Sequence, residues 1–133
     1  MKEGWLNDSD YLILFDQNVI AEINNNYDID KYLVDFKIIG IIGWDDFILV
    51  NKRNKYFRCP TVPLNEKYIS EINNDFFGAD LEKDERFVGI IKWHIQPIIF
   101  GGSPSSEENI TWVPIDGHQK LVKWWNDKYI EVK

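Results

Sequence analysis

The sequence predicts a single domain that combines helices with strands, and three observations carry that expectation. The middle of the chain, "FKIIGIIGWDDFILVNKRNKYFRCP" (Phe36 to Pro60), holds three β-branched, apolar runs separated by glycine-containing or polar turns. The last part, "DGHQKLVKWWNDKY" (Asp116 to Tyr129), repeats its apolar residues at the period of a helix. Finally, 133 residues with 44% apolar and 15% aromatic content can build one core, and no linker, repeat or low-complexity tract divides the chain.

The elements follow in order. Ser9 or Asp10 can cap a first helix running to about Tyr27, since Leu12, Phe15, Val19, Ile20, Ile23 and Tyr27 fall on one helical stripe. "YLILF" alone also reads as a strand, so the start of this helix stays open. "FKIIGIIG" is continuously apolar, as in a strand buried on both faces. "DFILVN" and "KYFRCP" flank the polar "NKRN" and read as a hairpin, after which Pro60 and Pro63 exclude a central strand. Asn65 is placed to cap a short helix with Ile69, Ile72 and Phe76 on one side. "GADLEKDE" reads as a charged loop or helical turn. "RFVGIIKWHIQ" fits a strand or a helix, and Pro97 ends it either way.

The final helix is the clearest element. Asp116 can cap it, with Gln119 three residues on in a capping-box arrangement. At about 100° per residue, His118, Leu121, Val122, Trp125 and Tyr129 share one stripe, with Lys120, Lys123 and Asp127 opposite in water. Trp125 is therefore expected in the core, and Trp124 on the flank as a lid or an exposed contact.

Charge and cysteine content bound the function. The net charge of −7 argues against direct nucleic-acid binding as the main activity. Its distribution is uneven: residues 1–46 carry ten acids against three bases, while residues 47–64 carry four bases and no acid. Such a balance suits a cationic partner, and equally suits ordinary solubility. No run is long enough to span a membrane, and "MKEGWLNDSD" lacks the apolar core of a signal peptide, so a cytoplasmic location is expected. Cys59 is the only cysteine, in keeping with a reducing compartment. The sequon Asn109-Ile110-Thr111 is read as a chance match.

The candidate chemistry is sparse. Gly101-Gly102-Ser103-Pro104 lacks the Lys-Ser/Thr pair of a phosphate loop and runs into Glu107 and Glu108, which would repel an anion; it reads as a turn. His94 and His118 are the only histidines, and neither they nor Cys59 sit in a metal or nucleophile motif, so no metal, cofactor or catalytic residue is expected. Asp45-Asp46 and Glu107-Glu108 are paired carboxylates, which without a shared cleft are solvated charges. Trp44-Asp45-Asp46 sets an aromatic beside two negative charges, a composition suited to a basic surface; the plain alternative places Trp44 in the core. The candidate partner-binding residues are Trp44, Asp45, Asp46, Glu107, Glu108 and Trp124.

"PIIFGGSPSSEENITWVPIDGHQKLVKWWNDKY" resembles the C-terminal cassette of small bacterial proteins of the SUKH superfamily (Smi/Knr-type domains). "IIGIIGWDDFILVNKRNKYFRCPTVPL" is similar to that family's central strands, so the likeness spans about residues 36 to 129. The family's Leu-Pro step after its first helix is absent from "YDIDKYLVDF". The resemblance implies an α+β domain, a twisted, mostly antiparallel sheet covered by helices. It also implies a non-enzymatic role: an immunity protein that binds and neutralises a cognate polymorphic or contact-dependent toxin, often a nuclease, acting as a monomer or weak dimer. The cassette then closes the fold. The rival expectation is a hydrolase or small-ligand binder using a pocket near Trp44, Trp93 and His94. A convergent cleft with shifted carboxylates would favour the rival, and a flat or grooved acidic face the inhibitor.

Overall fold

The computed structural model describes residues 2–133. Six strands form one sheet in strict sequence order: β1 (Lys2–Trp5), β2 (Tyr11–Leu14), β3 (Phe36–Ile42), β4 (Asp46–Asn51), β5 (Tyr56–Pro60) and β6 (Ser70–Ile72). Every neighbouring pair is antiparallel. A second, two-stranded antiparallel sheet pairs β7 (Ile91–His94) with β8 (Ile110–Val113). The helices are α1 (Ile20–Tyr27), the single turn α2 (Ile29–Tyr32) and the long α3 (Ile115–Val132). The architecture is α+β with a mostly antiparallel sheet, as the sequence led us to expect.

Both faces of the large sheet are buried, and alternate side chains divide between them. Tyr11, Ile13, Ile38, Ile41, Phe47, Leu49 and Cys59 join the larger core with Ile23, Tyr27 and Val122 from the helices, Leu33 just after α2, and Trp93 from β7. Leu12, Leu14, Ile39, Ile42 and Ile48 face the other way, where Phe76 and its neighbours cover them. An irregularity in the β3–β4 register between Ile38 and Gly40 leaves both Ile39 and Ile42 on this second face. Gly40 itself lies against β2, where a Cβ would meet the Ile13 carbonyl oxygen at 2.5 Å.

The N-terminal half departs from the expected single helix. Tyr11–Leu14 is a strand between β1 and β3, and of the expected span up to Tyr27 only Ile20–Tyr27 is helical. All four residues of β2 are buried, so the alternation that would have marked a strand is erased. Asn65 does cap, its side chain accepting the Lys67 N–H at 3.0 Å. It begins only a 3₁₀ turn, Glu66–Tyr68, and the expected helix gives way to β6, which completes the edge of β5. The ambiguous "RFVGIIKWHIQ" resolves as a 3₁₀ turn followed by strand β7.

The stripe on α3 is also displaced. The residues wholly inside are His118, Gln119, Val122 and Asn126, while Trp125 is half-buried on the flank. Asp116 lies in the first turn, and Pro114 takes the cap position without a side-chain cap bond. Asp127 is not an isolated solvated charge: it accepts from Lys31 at 2.7 Å and from Tyr32 at 2.6 Å, clamping α3 to α2. Burial pushes its carboxyl up, but the bonds from Lys31, Tyr32 and Lys123 outweigh this and bring it down to about 2.

Candidate functional site

The loop joining β7 to β8 explains the glycine-rich cassette. A Cβ on Gly102 would sit 1.8 Å from the Gln96 carbonyl oxygen, so the two arms of the loop approach as only glycine allows. Asn109 fastens them: its amide donates to the carbonyls of Gln96 and Ser103, and its oxygen accepts the Gln96 N–H at 2.8 Å. The Ser103 hydroxyl accepts the backbone N–H groups of Ser105 and Ser106. These polar groups are spent on shaping the loop.

The β3–β4 turn carries the first three candidate residues. Gly43 and Trp44 both adopt left-handed backbone angles, at φ 61° and 67°. That conformation is costly for a bulky residue. Aromatic packing offsets it: the Trp44 indole stacks on Tyr11 at 4.5 Å and meets Trp5, Phe87 and Trp112 edge-on. Trp44 is therefore buried core and is not presented to a partner.

Asp45 and Asp46, adjacent on this turn, both line an open cavity of about 420 Å³. Pro60 at the end of β5 and the Thr61–Pro63 segment after it form one wall with Tyr68, and Trp93, His94, Pro97, Ile98 and Ile99 form the other. Asp46 accepts from Arg58 at 2.6 Å, and Arg58 also approaches Asp10 at 3.7 Å. Asp45 faces the His94 ring, Oδ1 to Nδ1, at 3.2 Å. Desolvation pushes the Asp45 carboxyl up, against the pull of His94 and Lys92. Trp44 does not line this cavity, so the pocket expected near Trp44, Trp93 and His94 contains only the last two.

The proton on His94 can be placed by elimination. Its Nε2 lies 3.1 Å from the Pro104 carbonyl oxygen, which can only accept, so Nε2 carries hydrogen. A hydrolytic triad needs the imidazole nitrogen opposite the carboxylate to face a nucleophile. Here that nitrogen is tied to a backbone carbonyl, so His94 joins the β3–β4 turn, β7 and the loop. The Cys59 thiol is no better placed, since burial pushes it up to about 11.

The remaining candidates lie on the outside. Glu107 and Glu108 are exposed on a 3₁₀ turn of the loop, next to Asn109. Trp124 is 57% exposed. Its ring meets Trp125, which meets Phe100, and Phe100 ends the turn that carries Ile98 and Ile99. Ile98 and Ile99, on the cavity wall, are 50% and 44% exposed, and Ile95, just before them in the chain, is 52% exposed, so uncovered apolar surface borders the cavity. Sequence reading missed Ile95, Ile98, Ile99 and the Pro60–Pro63 wall. The available signal was apolar residues held between prolines, with no strand or helical period to bury them.

Among the described residues, no three His, Cys, Asp or Glu side chains group as metal ligands, and no helix is long and apolar enough to cross a membrane. Fold and site together define an α+β protein with an apolar pocket, carboxylates on its wall and exposed isoleucines at its mouth. No protein-family model, curated protein or solved structure matches this chain.

Proposed function

We propose that this chain is an immunity-type protein that binds and neutralises a cognate toxin domain with a basic surface, inside the cytoplasm and without catalysis. The observation that carries the reading is the exposed apolar surface beside a carboxylate-lined pocket, on a chain of net charge −7. Exposed contiguous apolar surface rimmed by charge is the usual composition of a protein-binding site. The acidic balance would steer a basic partner toward it and select against acidic ones. The resemblance of residues 36–129 to SUKH-type proteins supports the same class. In the cassette, Gly102, Asn109, His118 and Asn126 hold the fold, which fits a non-catalytic role for it.

The test is co-expression with the product of the adjacent upstream gene. Rescue of growth together with a co-purifying complex supports the reading; undiminished toxicity and no complex overturn it. A small-ligand-binding protein is the second reading, favoured by the convergent pocket with its upward-shifted Asp45. The hydrolase variant of that reading is weakened by the engagement of both His94 ring nitrogens.

A further inference from the structure

We propose that the Asp45 pocket receives one basic side chain, Lys or Arg, from the bound partner; this rests on the partner-binding reading and specifies what the pocket recognises. The walls of the cavity are mainly apolar, with Pro60, Val62, Pro63, Tyr68, Pro97 and Ile99 all contributing. Its volume of about 420 Å³ is near the small end of ligand pockets, enough for one long side chain. Lys and Arg have the matching two-part chemistry, methylene stems that cover apolar surface and a charged head.

The head would meet Asp45. One carboxylate oxygen faces His94, while the side chain as a whole is 54% exposed. No hydrogen bond to the other oxygen, Oδ2, is formed among the described residues. The titratable groups around Asp45 are His94 and Lys92 from β7 and Asp46 from β4. Arg58 on β5 is engaged by Asp46 and Asp10. A neutral occupant would desolvate Asp45 further while leaving its Oδ2 unpaired, and an anion would meet two carboxylates. A cation on an apolar stem satisfies both parts of the pocket. A partner's side chain fits better than a free amine, because the exposed Ile95, Ile98 and Ile99 are covered only when a larger surface follows the cation in.

The experiment is an NMR titration of the protein with n-butylguanidinium, n-butylammonium, n-butanol and butyrate. We expect saturable shifts of the Thr61, Trp93 and Ile99 amides with both cations, at least about tenfold tighter than with butanol, and none with butyrate. Asp45→Asn should abolish that preference. Ile98→Lys, at an exposed position where folding is not at risk, should abolish it too by placing a resident cation at the mouth. Equal binding of butanol, shifts that map elsewhere, or an undiminished preference in Asp45→Asn would overturn the proposal. A final arm repeats the butylguanidinium titration on the complex with the neighbouring gene's product. Exclusion of the probe supports occupation by the partner. Unchanged probe binding assigns the pocket to a free cationic molecule and overturns the partner side chain. Failure to form any complex instead overturns the immunity reading, while the titration on the free protein still decides the chemistry of the pocket.

Discussion

Asn126, buried on α3, accepts the backbone N–H of Leu64 at 2.7 Å across 62 residues of chain. The same amide donates to the Thr61 carbonyl at 2.8 Å and to the Val122 carbonyl at 2.9 Å. One side chain thus satisfies two backbone groups of the irregular Thr61–Leu64 segment, which follows the end of β5. Asn126→Leu keeps the branched skeleton in a somewhat larger side chain but orphans the Leu64 N–H and the Thr61 carbonyl. A loss of about 2–4 kcal/mol follows if both are left unpaired in the interior. Urea melts measure it, and a loss no greater than that of an exposed polar substitution would contradict the assignment. Because Thr61 and Pro63 line the pocket, the variant should also loosen binding there.

His118 makes the fold sensitive to acid. Its Nδ1 lies 2.6 Å from the Tyr27 hydroxyl, and burial lowers its pKa from 6.5 to about 3. Above the unfolded value both states are neutral and stability is complete. Below it the unfolded chain takes up a proton that the folded chain refuses. Stability should therefore fall by about 1.4 kcal/mol per pH unit as the pH drops from near 6.5 toward 3. His118→Gln removes this component, so between pH 6.5 and 4.5 the variant should show a flatter dependence than the native chain. The comparison cancels contributions from other groups, and identical slopes would rule out His118 as the source.

The adjacent tryptophans should differ in their contribution to stability. Trp125 lies half-buried against the core and Phe100, whereas Trp124 is mostly exposed. Trp125→Ala should cost about 2–3 kcal/mol, below the range for a fully buried ring, and Trp124→Ala under about 1 kcal/mol. Equal losses in denaturant melts would contradict the face assignment.

The contrast between these residues shows what the sequence made legible. β3, the β4–β5 hairpin and α3 were readable because their local patterns agree with their final environment. β2 was not, because a strand buried on both faces has no alternation, and "YLILF" joins smoothly onto the helical spacing that follows. β6 was misread because its strand state comes from the open edge of β5 rather than from its own residues. On α3 the helical period was correct but its centre lay one step away, since Asn126 enters the core to bond a segment 62 residues earlier. The site was less legible still. Trp44 reads from sequence as either a partner anchor or a core residue, and its turn places it in the core, stacked on Tyr11. The pocket arises where the Pro60–Pro63 segment meets the 93–99 segment, a juxtaposition that local periodicity does not encode.

The steering charges can be tested without disturbing the fold at Glu107 and Glu108. Reversing Asp46 would set a lysine against Arg58, and reversing Asp45 would cut the tie to His94, so slower binding by either variant would be confounded with local rearrangement. Glu107 and Glu108 are exposed and form no ion pair among the described residues, on the loop whose other arm lines the pocket. If the partner is basic, Glu107→Lys with Glu108→Lys should slow association several-fold and reduce its dependence on salt, with little change in dissociation. Trp124→Ala should do the opposite, leaving association nearly constant and accelerating dissociation, as loss of an apolar anchor does. Stopped-flow binding to the neighbouring gene's product at low and moderate salt separates the two effects. An unchanged association rate in the double reversal would take the acidic loop out of the encounter, and unchanged dissociation in Trp124→Ala would take Trp124 out of the interface.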